Sequence, residues 1–244
     1  MIAASVFELL EVTKSTYHSW DTQARPWFRG EPESSTPLLP RLYRKAAPHD
    51  ENLFVQRFRS MGPVYSSGVY APPREHNDQW LYIMQHVGAP TRLLDWTEGL
   101  LQALFFALEE SKAVVWMIDP HQLNTLSGFH PADPRELPIA WGNVNSPAQA
   151  NLQSAFRQDQ GGTDYPVCFI PTYVHPRMAV QRSVFSVHGR LKISIAAIDG
   201  LSHIAKFDLA PTAMASMRDD LRLLGMSRRS LFPDYDGLAG DILP

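Results

Sequence analysis

At 244 residues, with 44% apolar and 11% aromatic side chains, the chain can bury one large core or two small ones, and its composition excludes a disordered protein. A net charge of −3 excludes a global field that recruits nucleic acid, while leaving room for a local basic face. The single Cys168 excludes an internal disulfide and a multi-cysteine zinc site, and no run reaches the ~18 consecutive apolar residues a membrane helix needs. The opening MIAASVFELLEVTKS lacks a basic region followed by a long apolar core, so a cytoplasmic location and no membrane partner are expected.

SVFELLEVTKS (5–15) spaces Val6, Leu9, Leu10 and Thr13 at helical intervals and predicts an amphipathic helix. It leads past Pro26 into a predicted strand at 26–30 that carries WFRG. EPESSTPLLPRLYRK, with three prolines, reads as an extended loop. Helical spacing resumes over 50–61, with Asp50 as N-cap, and again over 76–88, ending near Gly88. GAPTRLLDWT is too apolar and too interrupted by Pro90 for an exposed helix, whereas 98–110 (EGLLQALFFALEE) is apolar nearly all round and predicts a helix buried on most of its surface. AVVWMID (113–119), closed by Asp-Pro, predicts a buried strand. Residues 120–162, rich in Pro, Gly, Asn and Gln, read as a long surface excursion. Strands are expected at 167–173, 178–187, 191–196 and 202–209, then a helix over 211–226 ending at Gly225. Early helices with strands gathered late imply α+β, in a single domain over 1–244 without internal repeats.

Three clusters carry polar groups inside apolar elements, where an unpaired charge costs several kcal/mol. In the first, Gly30 lets a backbone or a ligand approach just where Arg29 offers a planar fork for phosphate or carboxylate. Arg29 reads either as a surface arginine lying along Trp27 and Phe28 or as a ligand contact, and on the second reading Arg29→Ala removes activity and leaves the fold intact. In the second cluster, Arg92 and Asp95 read as an ion pair, with Asp95 capping the 98–110 helix and Glu98 completing a capping box. A helix start capped in this way also offers an anion site within reach of Thr91 and Thr97. Gln85-His86 reads as an amide clamp with a general base, or as a structural helix end. In the third cluster, a strand at 178–187 puts Gln181 on the face of Phe185, where a buried amide needs partners. Asp234 and Asp236 read as turn chemistry or as cation ligands, and no spacing of metal ligands stands out. Neither a G-x-S-x-G, a Walker loop nor a G-x-G-x-x-G is present.

Together, WFRG, QHVGAPTRLLDWTEGLLQALFFAL, PRMAVQRSVF and SLFPDYDGLA resemble the FRG domain family of bacteria and phages, named for its aromatic-Arg-Gly motif, and they span positions 27 to 239. Val87 stands where the family pattern has an aromatic, and Ser183 where its Q-x-G-x-F pattern has glycine. The order of elements is similar to that of ADP-ribosyltransferase folds: a strand with Arg-Gly, a polar strand end feeding an aromatic-rich helix, and a later strand with Glu or Gln. This resemblance implies an ADP-ribosyltransferase-like α+β fold with a mostly antiparallel sheet, and NAD as substrate. It also implies a nucleic-acid or protein acceptor and a role as a toxin or phage-defence effector. Arg29, Asp95 and Gln181 are the catalytic candidates. Arg29, Gly30, Thr91, Arg92, Trp96, Thr97 and Phe185 are the candidates to hold NAD, and no metal is expected. Cleaving the nicotinamide–ribose bond passes through an oxocarbenium-like state, for which Asp95 would supply the negative charge that a glutamine at 181 lacks. The alternatives are a non-catalytic module that binds nucleotide or nucleic acid, stacking on Trp96 or Phe28, and a nuclease using His86, Asp95 and Asp234.

Overall fold

A computed structural model describes residues 1–44, 51–65, 71–109, 112–130, 147–154 and 162–242. The short β1 (Ile2–Ala3) precedes α1 (Val6–Ser19), which starts where the Ser5 hydroxyl accepts from the Glu8 amide. WFRG lies in β2 (Trp27–Glu31), followed by α2 (Glu51–Tyr65) and α3 (Asn77–His86). TRLLDWT contributes β3 (Leu93–Thr97), which runs into α4 (Leu100–Ala107) and β4 (Val114–Ile118). Next come α5 (Pro120–Leu126), α6 (Pro147–Ser154), β5 (Val167–Phe169), α7 (Pro176–Val180) and β6 (Ser183–Val187). β7 (Ile204–Leu209), α8 (Met214–Leu223), α9 (Arg228–Leu231) and α10 (Tyr235–Ile242) close the chain. The class is α+β as expected, with a seven-stranded, mostly antiparallel sheet among the described residues.

The strand order is β1-β7-β4-β2-β3-β6-β5, and its weak point is in the middle. β2 pairs with β4 over five residues, from Trp27 opposite Ile118 to Glu31 opposite Val114. With β3 it shares a single rung, Phe28 opposite Thr97. β3 pairs with β6 over its whole length. The sheet is therefore two ladders joined at one point, and beyond that point β2 and β3 leave edges that something other than a ladder must satisfy.

Each ladder has its own apolar cover. Leu9 of α1, Ala103, Leu104 and Ala107 of α4, and Met217 and Leu221 of α8 pack with Phe28, Val115 and Phe207. On the other ladder, Val55 of α2, Leu81 and Met84 of α3, and Leu152 of α6 pack with Leu93, Val167 and Phe185. A third cluster takes residues from both ladders, joining Trp27 and Ile118 to Leu94, Trp96, Cys168 and Val184. The halves are thus held together by shared burial more than by shared hydrogen bonds.

Several sequence expectations change here. Residues 178–187 are not one strand: His175 caps a short helix with Pro176 at its first turn, and the chain reverses at Arg182, whose φ of 49° is left-handed. The family glycine position, Ser183, has no positive φ and simply begins β6. Residues 191–196 form no ladder, although Ile193 and Ile195 pack into the third cluster and the Ile195 amide donates to the Leu38 carbonyl. The strand expected at 167–173 ends at Phe169. Asp95 caps nothing: it lies within β3, and Gly99 occupies the N-cap position of α4, its amide donating to Thr97 Oγ1 at 3.0 Å. The 120–162 excursion is partly core, because Leu123, Asn124, Asn151 and Leu152 are all buried. Asn124 explains one turn of it, since its side-chain amide both donates to the Cys168 carbonyl and accepts from the Cys168 amide. Asp50, Glu110, 131–146 and 155–161 lie outside the described residues.

Candidate functional site

A cleft of about 350 Å³ opens at the divergence of β2 and β3. Its walls include Phe28, Arg29, Gly30, Gln85, His86, Asp95, Thr97, Phe106, Arg177, Gln181 and Phe232, so residues far apart in sequence meet where the ladder fails.

Arg29 spans that gap. Its Nη1 donates to the main-chain carbonyl of Asp95 at 2.7 Å, a bond across the strands where backbone pairing has stopped, and lies 3.7 Å from Asp95 Oδ2. Nε and Nη2 reach Glu31 Oε1 at 2.7 and 2.6 Å. Glu31, only 6% exposed, also receives Arg44 Nη2 at 3.3 Å. Arg29 is itself 15% exposed, so it is a structural group as well as a wall of the cleft. The expectation that it contacts ligand more than core is corrected to that extent.

Gly30 has a packing cause. A Cβ there would stand 1.9 Å from the Ala103 carbonyl oxygen and 2.6 Å from the Ala107 amide, so the glycine admits the backbone of α4 against β2. That close seat also fixes Phe106 of the same helix in the cleft wall.

Asp95 is the one residue of β3 whose face is open, with about half of its side chain (51%) exposed to the cleft. Gln85 Nε2 donates to Asp95 Oδ2 at 2.5 Å, and Thr91 Oγ1 donates to Gln85 Oε1 at 2.6 Å, so the amide is oriented from behind. Asp95 lines the cleft wall, so protein surrounds the carboxylate on its other sides. The surrounding protein therefore raises the Asp95 pKa by desolvation, against the opposing pull of Arg29 and Gln85, and Glu31 adds to the rise.

Gln181 lies at the C-cap of α7 rather than in a strand. Its Nε2 donates to the Leu231 carbonyl at 3.0 Å, and its own carbonyl accepts from Thr97 Oγ1 at 2.7 Å. These bonds tie α7, α9 and the end of β3 into one wall. In the same wall, Arg177 is ion-paired with Asp234 and lies 4.8 Å from the centre of the Phe232 ring, with Arg228 5.0 Å from the same ring. Phe232 meets Phe106 edge-on at 6.0 Å, giving the cleft an aromatic corner. His86 packs on His175 with ring centroids 3.8 Å apart, and burial, with His175 and Arg177 beside it, pushes its pKa down to about 4.

Three candidates, Thr91, Arg92 and Phe185, fall outside the lining of the cleft. Arg92 is taken by Glu51, at 2.5 Å from Nη2 and 2.9 Å from Nε to Oε2, and by the Asn151 carbonyl at 3.0 Å, so it lies outside this wall and completes no clamp with Arg29. Phe185 is 4% exposed and stacks on Tyr82 at 5.5 Å in the core. Trp96 does line the cleft, but it is 3% exposed and donates from Nε1 to Ser186 Oγ, so its ring is not a free stacking surface. Thr91 acts from behind, through Gln85. Phe28 lines the cleft but is 6% exposed, so little of its ring is available for stacking. Asp234 is engaged by Arg177 and by the Gly237 amide, and the side chain of Asp236 lies outside the described residues. No cluster of three metal-ligating side chains occurs among the described residues.

The residues not anticipated are Glu31, Arg44, Phe106 and Phe232, and Gln85 in its bond to Asp95. Glu31 was legible: two residues after Arg29 on a strand, it shares the same face.

Among curated proteins and solved structures there is no match. A family model described as the FRG domain matches residues 24–114, which contain WFRG, Gln85, Thr91, Asp95 and α4. The segment that carries β2, β3 and α4 is therefore similar to the FRG domain family.

Proposed function

We propose that the cleft binds NAD and transfers its ADP-ribosyl group to a nucleic-acid or protein acceptor. The observation that carries this reading is the half-exposed Asp95 carboxylate, held by the Gln85 amide beside Arg29 in a site with an aromatic corner. In the reaction the bond between C1′ of the ribose and the nicotinamide nitrogen breaks, the electron pair leaves with neutral nicotinamide, and a nucleophile of the acceptor bonds to C1′ and gives up its proton. Positive charge grows on the ribose before the new bond forms. A fixed carboxylate stabilises that charge where it develops. Ionised Asp95 is suited to this role. Gln181, whose Oε1 has no described partner, is suited to accept from a ribose hydroxyl. Phe106 and Phe232 offer apolar faces to the nicotinamide ring. The family resemblance adds a role as a toxin or phage-defence effector.

The test is nicotinamide release from labelled NAD in the presence of protein and nucleic-acid acceptors. Release that depends on Asp95 supports the transferase. NAD binding by wild type without release, unaffected or improved by Asp95→Asn, favours the non-catalytic nucleotide-binding module instead.

A further inference from the structure

We infer that Arg41 and Arg44 form a separate subsite for the pyrophosphate of a dinucleotide, in a pocket that meets the cleft at Arg29, Gln85 and Asp95; this rests on the reading of the cleft as an NAD site. The pocket, about 230 Å³, contains Arg29, Arg41, Arg44, Gln85, Gly88 and Asp95, with Leu93 and Leu94 as apolar lining. Because it shares three residues with the cleft, one ligand can place a ribose against Asp95 and a phosphate beyond it.

The local sequence explains why two arginines converge there. Pro40 leads into a 3₁₀ turn at Arg41–Tyr43, closed at Arg44, with Leu42 buried as its anchor. A 3₁₀ turn has three residues per turn, so positions 41 and 44 lie on one side of it. Arg44 is tethered: Nε donates to the Leu39 carbonyl at 2.7 Å and Nη2 meets Glu31. Arg41 is not paired with any carboxylate among the described residues, and its one hydrogen bond there runs from Nη1 to the Gly88 carbonyl at 3.1 Å. Its remaining donors are free for an anion. Around this pocket three guanidinium groups face two carboxylates, Glu31 and Asp95, and Glu31 is already shared by Arg29 and Arg44. Arg92, by contrast, is neutralised by Glu51. A planar guanidinium with free donors binds phosphate oxygens in pairs, which makes Arg41 the group best placed to recognise pyrophosphate.

The test titrates wild type, Arg41→Gln and Arg190→Gln with inorganic pyrophosphate, ADP-ribose and nicotinamide riboside by calorimetry at fixed ionic strength. Arg190 is the control, a surface arginine paired with Asp164 away from the pocket. Arg41→Gln is expected to weaken pyrophosphate and ADP-ribose by about tenfold or more, the value of one lost charge-assisted bond, leaving nicotinamide riboside and the melting temperature unchanged. No pyrophosphate binding by wild type, or Arg41→Gln no weaker than Arg190→Gln, overturns the subsite. Arg41-dependent pyrophosphate binding without nicotinamide release sinks the transferase alone, and NAD turnover with ADP-ribose affinity independent of Arg41 sinks the subsite alone.

Discussion

Arg29 points its guanidinium at protein acceptors on both sides, Glu31 along its own strand and the Asp95 carbonyl across the gap. Removing it leaves a nearly buried Glu31 with Arg44 alone and opens the last polar tie between the two ladders at that level. Arg29→Ala should therefore lower stability by about 1.5–3 kcal/mol, the range for hydrogen bonds to charged groups, measured as a shift in the urea midpoint. An unchanged midpoint would return Arg29 to the purely ligand-binding role that WFRG alone suggested. Arg92 makes the opposite comparison. Its loss leaves Glu51 without its guanidinium, at 12% and 9% side-chain exposure for the pair, so Arg92→Ala should destabilise by about 3–5 kcal/mol. Affinity of the protein that still folds for ADP-ribose should not move, because Arg92 lies outside the cleft. At this scale the sequence revealed that TRLLDW buries charges needing partners, but not which partners, because Glu51 is 41 residues away and no spacing rule connects them.

Strand β2 and helix α4 meet because position 30 has no side chain. Gly30→Ala puts a Cβ into the α4 backbone, which cannot move as a flexible side chain can, and should cost at least the ~1–3 kcal/mol of an overpacked core. It should also displace Phe106, so loss of stability and of ligand affinity should appear together in one thermal-shift series; loss of affinity at full stability would contradict the packing explanation. Elements with their own chemistry were legible: β4 is an apolar run closed by Asp-Pro, β2 follows Pro26, β7 carries apolar residues with Lys206 and Asp208 between them, and α1, α2, α3 and α8 keep helical spacing. The 178–187 misreading has a specific cause. MAVQRSVFSV alternates as a strand would, but His175-Pro176 is a helix start, and the five-residue helix it begins uses the first three residues of the run, with Gln181 as its C-cap. LKISIA alternates too, and its isoleucines are packed inward without a strand beside them to form a ladder.

Across the whole molecule, two ladders joined by one rung depend on burial at the seam, and at the far end of β3 and β6 a buried imidazole makes stability sensitive to pH. His188 is fully buried, its Nε2 donates to the Ile193 carbonyl at 3.2 Å, and its Nδ1 has no partner. Burial pushes its pKa down to about 4, below the ~6.5 of an unfolded histidine. Between those values the unfolded chain binds a proton that the folded chain refuses. The His188 contribution is therefore fully present above about pH 6.5 and declines as pH falls toward 4, by up to about 1.4 kcal/mol per pH unit. Urea midpoints recorded from pH 7 to pH 4.5 should fall, and His188→Gln should flatten that dependence; equal slopes for both proteins would remove His188 as the cause. What the sequence could not reveal at this scale is the cleft itself. It exists because β2 and β3 pair only at Phe28 and Thr97, a property of how two distant segments meet and not of either one.

The central claim is that Asp95 stabilises positive charge on a ribose, and Asp95→Asn tests it with little change of shape. The asparagine can still accept from Gln85, and the strand ladder with β6 does not involve the side chain. Nicotinamide release from NAD at saturating substrate, measured beside NAD affinity on the same protein, should fall by about 100-fold or more, roughly 2.7 kcal/mol of transition-state stabilisation, with affinity within a few-fold of wild type. Release by Asp95→Asn at the wild-type rate would contradict it.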